Sequence, residues 1–335
     1  MSINQEALRT LPRIGITIGD AAGIGPEIVL KSLSDKNTLK TFRPVVIGDE
    51  RVLRSQADRM GIPFGNDDLI EVVDVRNLPA EVRPGVESAE TGRASGEYIE
   101  KAVELWRDGA IDAIATAPIS KKALNAGGYD FPGHTEFLAS LTDTGEFAMS
   151  FFAEKLRVVL LSTHLSLTDA IGRVTKDNLV RLIGFSNAQL SGLLNQRVRI
   201  AVAGLNPHAS ENGMFGTEEA DNITPAIDDC RANSGIDVSG PYSPDTIFLR
   251  GFRGEFDAVI ALYHDQATIA VKSLSFGSAV NVTLGLPLIR TSVDHGTATD
   301  IAGQGIADAS SMTASIKLAA ELAILRTSSS THAGG

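Results

Sequence analysis

Short apolar runs that alternate with helical patterns constrain this chain more than any other feature of its sequence. Arg13–Ile18, Pro44–Ile47, Leu69–Val75 and Ile111–Thr116 read as strands. Between them, Arg51–Met60 and Ala89–Gly109 have helical spacing, with Tyr98, Ala102 and Leu105 on one face. Strands separated by helices imply crossover connections, so the fold class is α/β, a mostly parallel sheet with helices on both sides. At 335 residues the chain exceeds what one core comfortably fills, and one large or two linked domains follow. Further along, Ala148–Ala153 and Leu156–Ser162 form a predicted hairpin around Glu154-Lys155. Lys176–Leu194 reads as a helix, Val198–Gly204 as a strand and Glu218–Ala232 as a helix. The tail from Thr327, rich in Ser, Thr, Ala and Gly and containing His332, is expected to lack fixed structure.

Charge and cysteine content exclude several classes. A net charge of -11 argues against nucleic acid as a partner, because phosphate backbones reward basic patches. An acidic protein that binds an anion must place its cations locally, which draws attention to Lys272 and Arg290. A single cysteine, Cys230, rules out an internal disulfide and suits a reducing compartment. The first thirteen residues carry no leader-like pattern, and no apolar run reaches the length of a membrane span, so a cytoplasmic location is expected.

Three histidines follow apolar runs in the same way. Val158-Val-Leu-Leu-Ser-Thr leads to His164, Ile200-Ala-Val-Ala-Gly-Leu-Asn-Pro to His208, and Ala258-Val-Ile-Ala-Leu-Tyr to His264. If these strands are parallel neighbours, all three imidazoles emerge at one carboxyl edge, where they can hold a divalent metal with positions open for substrate. Asp265 is placed to orient an imidazole or to reach the substrate. Near the amino terminus, Gly19-Asp-Ala-Ala-Gly-Ile-Gly-Pro-Glu27 links a strand to a helix with Pro26 at its start. The loop is either a phosphate-binding backbone or a tight turn, and its glycines do not follow the G-x-G-x-x-G order. His134 and Thr135 open a short helix and either hold an anionic group or serve as a packed residue and a cap. With no G-x-S-x-G elbow and no Walker loop, the residues describe a metal-dependent enzyme acting on a small anionic metabolite.

Several segments resemble one family in order along the chain. They are Gly19–Glu27, Thr116-Ala-Pro-Ile-Ser-Lys121, Gly133-His-Thr-Glu-Phe137, Leu205-Asn-Pro-His-Ala209, Gly216-Thr-Glu-Glu219, Tyr263-His-Asp-Gln266, Asn281-Val-Thr-Leu-Gly-Leu-Pro287 and Arg290–Ala298. Together they are similar to the 4-hydroxythreonine-4-phosphate dehydrogenase family, which includes a branch acting on 4-phospho-D-threonate and 4-phospho-D-erythronate. The resemblance implies two α/β/α domains with a cleft between them, isocitrate/isopropylmalate dehydrogenase-like. One domain is expected to span 1–140 with 270–335, the other, dimerising, 141–269. It implies metal ligands at His164, His208 and His264, and substrate contacts from His134, Thr135, Lys272, Asn281 and Arg290. His295–Gly305 resembles the adenosine-binding loop of isopropylmalate and isocitrate dehydrogenases, which implies NAD contacts at His295, Gly296, Thr297, Asp300 and Gly303.

The implied reaction is metal- and NAD-dependent oxidation of the secondary hydroxyl of a 4-phosphorylated four-carbon hydroxy acid, followed by decarboxylation. The metal is zinc, cobalt, manganese, nickel or magnesium. Lys272, Asp265 and His134 are the candidate bases. The partners implied are a small phosphorylated substrate and a second copy of the chain that shares the site, with neither nucleic acid nor membrane. Gly19-Asp20 and the 266–272 stretch lean toward the threonate branch, while the Gly-Asp-Ala opening departs from both branches. An acyl-phosphate transferase of the same broad fold and a dihydrodiol-type dehydrogenase are the alternatives.

Overall fold

The computed structural model describes residues 11–35, 38–65, 69–275 and 277–332. The expectation of no leader concerns residues that lie mostly outside these. In chain order the elements are β1 (Arg13–Thr17), α1 (Gly25–Leu33), β2 (Arg43–Gly48), α2 (Glu50–Met60), β3 (Glu71–Asp74), α3 (Ala89–Arg107), β4 (Ala113–Thr116), α4 (Lys121–Ala126) and α5 (His134–Leu141). There follow β5 (Ala148–Ala153), β6 (Leu156–Leu160), α6 (Leu167–Gly172), α7 (Lys176–Leu194), β7 (Ile200–Ala203), α8 (Thr224–Ser234), β8 (Val238–Tyr242), α9 (Pro244–Phe252), β9 (Ala258–Ala261) and α10 (His264–Leu274). The chain closes with β10 (Val280–Leu284), β11 (Ile289–Ser292) and α11 (Ser310–His332).

The fold is α/β, and its strands divide between two compact units. The first contains the residues up to Gly145 together with Leu286–Thr327, and the body of the second is Glu146–Gly285. Residues from 270 were expected in the first domain; α10 and β10 lie in the second unit.

In the first unit the strands run in the order β3-β2-β1-β4-β11, all parallel. The chain moves outward from β1 to β3 and then returns to place β4 on the other side of β1. Connections therefore leave in opposite directions between β1 and β4, which opens a crevice at their carboxyl ends. The loops after β1 and β4 meet there. Asp20 N donates to the Pro118 carbonyl at 3.0 Å, and a Cβ on Gly19, whose φ is +68°, would lie 2.2 Å from that oxygen. Only glycine suits that position.

In the second unit the order is β10-β5-β6-β9-β7-β8. The β5–β6 hairpin and the β10–β5 pair are antiparallel, while β6–β9, β9–β7 and β7–β8 are parallel. The sheet is thus mixed. Phe151, Leu156, Val158, Leu160, Val259 and Ala261 pack with Ile247 and Phe248 of α9 and Val271 of α10 into one core. Each fully buried side chain of this size contributes roughly 1.5–3 kcal/mol, so the strand ends rest on a rigid base.

Two local readings change. Glu218–Ala232 was expected as one helix, and it is a π-turn (Glu219–Ile223) continued by α8. The tail expected to be irregular from Thr327 continues α11 to His332. Met312, Ile316, Ala319, Ala320 and Ala323 are buried and anchor that helix; once a helix is nucleated, each added residue gains a backbone bond whatever its side chain. Among the described residues, no helix is long and apolar enough to cross a membrane. Cys230 is buried and free.

Candidate active site

The first unit gathers a buried cation and a buried imidazole nitrogen at its carboxyl edge. Arg290 lies on β11, paired in register with Ile114 of β4, and is 3% exposed. Its Nη2 donates to Thr116 Oγ1 at 2.9 Å. Burial pushes the guanidinium down to about 10, partly offset by the nearby Glu136 carboxylate. It therefore stays cationic at neutral pH.

His134 starts α5, where Gly133 provides no side-chain cap, so the helix's positive end faces outward. The residue as a whole is half-buried, but its Nε2 is shut off from solvent and has no hydrogen-bond partner among the described residues. Burial, and secondarily the charge of Arg290, hold its pKa well below the usual histidine value. The helix is fixed by aromatic packing: Phe137, 2% exposed, stacks on Phe131 with centroids 4.6 Å apart and meets Tyr129 at 5.0 Å. Thr135 follows His134 in the first turn. A cation, a neutral imidazole and a helix amino terminus are groups whose chemistry suits a phosphate or carboxylate.

The 295–305 loop closes over the same edge. Ile24 N donates to the Thr297 carbonyl at 2.9 Å, and a Cβ on Gly23 would lie 2.9 Å from Thr297. His295 Nδ1–H faces the Gly296 carbonyl at 3.0 Å, leaving a buried Nε2 without a partner among the described residues. The Asp300 carbonyl accepts from Gln304. Buried Glu27 accepts from the Gly305 and Ala307 amides, and Lys31 donates to both carbonyls.

In the second unit, β6, β9 and β7 are parallel neighbours, so His164, His264 and His208 do follow the same strand edge. The structure brings two of them together. The rings of His164 and His264 lie 5.8 Å apart, and His264 Nδ1 meets Asp265 Oδ1 at 2.7 Å. A carboxylate only accepts, so the proton sits on Nδ1 and Nε2 keeps its lone pair for a metal. His208 stands beside Phe215, centroids 6.4 Å apart, and among the described residues no three His, Cys, Asp or Glu side chains are arranged around one ion. His208 also begins a left-handed stretch, with φ positive from His208 to Asn212. Non-glycine residues in that region cost roughly 1–2 kcal/mol each, and such strain clusters at functional loops. Lys272 is exposed in the last turn of α10. Asn281 on β10 carries a buried Oδ1 with no partner among the described residues.

Comparison with known proteins decides the family. Residues 40–319 match the family described as pyridoxal phosphate biosynthetic protein PdxA. The chain belongs to this family. It is 47% identical over 331 residues to D-threonate 4-phosphate dehydrogenase of Cupriavidus necator, covering 94% of this chain and 98% of that one. It is 44% identical to 4-hydroxythreonine-4-phosphate dehydrogenase of Desulforapulum autotrophicum, covering 92% and 95%. Among solved structures, 4-hydroxythreonine-4-phosphate dehydrogenase of Klebsiella pneumoniae superposes with a TM-score of 0.85 at 41% identity, covering 93% and 99%. As a member of this dehydrogenase family the chain is an oxidoreductase.

Three residues that tie the histidine-bearing loops together were not singled out in the sequence. Ser162 Oγ donates to the Leu262 carbonyl at 2.9 Å, linking the His164 and His264 arms. Buried Gln266 accepts from Leu262 N at 2.7 Å and donates to the Gly204 carbonyl at 2.8 Å, linking the His264 and His208 arms. Glu219 accepts from the Leu205 and Asn206 amides at 2.8 and 2.7 Å. Gln266 and Glu219 sit within family motifs, and that was the available signal. Thr116, which receives Arg290, likewise ends a strand inside such a motif.

Proposed function

We propose that the chain oxidises the secondary hydroxyl of a 4-phosphorylated four-carbon hydroxy acid and that the 3-keto acid formed then loses carbon dioxide. The observation that carries this is the Arg290–His134 set: a buried cation beside a neutral imidazole at a helix amino terminus, which suits an oxyanion. Both names among the relatives above describe such phosphorylated acids. We place 4-phospho-D-threonate first, after the Cupriavidus relative, and 4-phosphohydroxy-L-threonine second.

His164 and His264 fit a divalent ion by donor chemistry and proximity, with Asp265 fixing the tautomer; His208 enters as third ligand on the sequence match alone. The ion is zinc, cobalt, manganese, nickel or magnesium. Bound there, such an ion would supply Lewis acidity toward the substrate's oxygens, and NAD would supply the hydride acceptor. The chain's residues do the rest. Arg290 and the first turn of α5, with Thr135, hold the anionic end, and His134 adds a hydrogen bond without charge. Asn281 and Lys272 contribute an amide and a cation. The hydroxyl proton passes to one of Lys272, Asp265 or His134. His295, Gly296, Thr297, Asp300 and Gly303 take the adenosine end of NAD. A cytoplasmic homodimer whose copies share the site completes the reading.

The test follows NADH absorbance with both phosphorylated acids and 4-phospho-D-erythronate, using chelator-treated protein before and after metal addition. Metal-dependent NADH formation is the expected result. Metal-free protein that turns over acyl phosphate, with no NADH from any acid, would replace this reading with an acyl-phosphate transferase.

A further inference from the structure

The arm that carries His208 has a backbone that its own residues do not favour. Ala209, the next residue, has a φ of +51°, yet alanine has no polar side chain to favour the left-handed region. Tertiary contact therefore imposes that conformation. Part of the contact is Gly204, just past β7. A Cβ there would lie 2.9 Å from the Ala209 Cα and 3.2 Å from Glu219 Oε1, so only a bare backbone lets both approach. Glu219 is 3% exposed, and among the described residues no Lys, Arg or His pairs with it. Its carboxylate is directed at one short segment instead. Oε1 accepts from the Leu205 and Asn206 amides at 2.8 and 2.7 Å, and Oε2 accepts from Asn206 Nδ2 at 2.9 Å. Glu218 Oε2 takes the same Nδ2 at 2.7 Å. The Asn206 carbonyl in turn accepts from Ala209 N at 3.1 Å. A run of hydrogen bonds thus leads from a buried carboxylate to the residue beside His208. Bonds to a charged acceptor are roughly twice as strong as neutral ones, which makes Glu219 the firmest hold on this arm. It also opens a π-turn, a local widening found frequently at functional sites.

We infer that Glu219 is the positioning residue for His208. Its carboxylate fixes the 204–209 backbone and so presets the left-handed turn from which the imidazole is offered to a metal. The inference rests on the metal reading above and goes beyond it, because Glu219 acts only through His208 and is not itself a ligand. Residues around a metal's ligands that orient them typically change metal affinity about tenfold to a hundredfold when removed.

The experiment titrates chelator-stripped full-length protein with cobalt(II) and follows the visible absorption, which reports the donors around the ion. Glu219→Ala should weaken cobalt binding about tenfold to a hundredfold and move the band toward that of His208→Ala. Glu219→Gln keeps an acceptor for the Leu205 and Asn206 amides and should recover part of the loss. A double-mutant cycle decides the role: with His208 already replaced by alanine, adding Glu219→Ala should weaken binding no further. Asp221→Asn is the control, since Asp221 is an exposed carboxylate on the same turn, and its affinity should match wild type. If circular dichroism shows that Glu219→Ala does not fold, the same cycle run with Glu219→Gln decides the question. Wild-type affinity and spectrum in the Glu219 variants, or losses that add in the cycle, would overturn the inference while leaving the metal reading intact. Failure of the wild-type protein to bind cobalt would overturn both.

Discussion

The carboxyl edges of the two units are built from the same motif, a parallel strand feeding a loop, yet they hold their polar groups in opposite ways. In the first unit Arg290 and the His134 Nε2 are buried, and the surrounding loops are fastened by Glu27, Lys31 and the Thr297 carbonyl. In the second unit His164, His208 and Lys272 are exposed, and only His264 has a fixed tautomer. Burial makes a polar group's position a matter of folding energy, so these two groups are organised by the chain alone. Exposed imidazoles gain nothing by converging until something binds them, which is why two approach and the third stands apart. The framework beneath them, Ser162, Gln266 and Glu219, is nevertheless rigid.

The contrast can be broken most severely at the histidines. If His164 and His264 hold the metal, replacing either with alanine should abolish metal retention and lower turnover at least a thousandfold, on the order expected for loss of a metal's Lewis acidity. Metal content by emission spectroscopy beside kcat decides it, and full turnover with the metal gone would refute the ligand assignment. His208→Ala sharpens the question, since a smaller loss of metal would match its separate position. On the other edge, Arg290→Lys should raise KM for the phosphorylated acid about tenfold to a hundredfold, because a point charge replaces a planar fork; an unchanged KM would remove Arg290 from the anion site.

Smaller effects probe how the arms are held. Gln266→Leu leaves the Gly204 carbonyl and the Leu262 amide without their partner, and should cost about 2–5 kcal/mol in urea unfolding. A loss below about 1 kcal/mol would mean that the arms are not coupled through this side chain. The smallest effect concerns pH. The His134 pKa is depressed by burial, so the folded protein binds fewer protons there than the unfolded chain. Its neutral form is favoured at neutral pH, and stability should fall as pH drops below about 6.5, the unperturbed value. His134→Gln should flatten that slope in Tm measured against pH; an identical slope would show that other groups set it.

Much of this was legible in the sequence because it depends on local pattern. Strands of Ile and Val, Pro26 at the start of α1, the hairpin at Glu154-Lys155 and the span of α7 follow from periodicity and turn chemistry, which act over a few residues. The equivalence of the three histidine-bearing strands could be stated as a condition, and the pairing of β6, β9 and β7 met it. Motif order was enough to point to the family. The length of α11 was not legible, because propagation from a buried face overrode the composition of its tail. Neither was the left-handed turn at His208, since no local residue preference calls for it.

What the sequence determined by itself is therefore the kind of element at each place and the residue types available for chemistry. What only the tertiary structure decided is which of them meet: Arg290 with Thr116 across 174 residues, Gln266 with Gly204 across 62, and Glu27 with Ala307 across 280. Such contacts are set by sheet order and by which groups lose water together. Both are properties of the packed chain, and no stretch of it carries them alone.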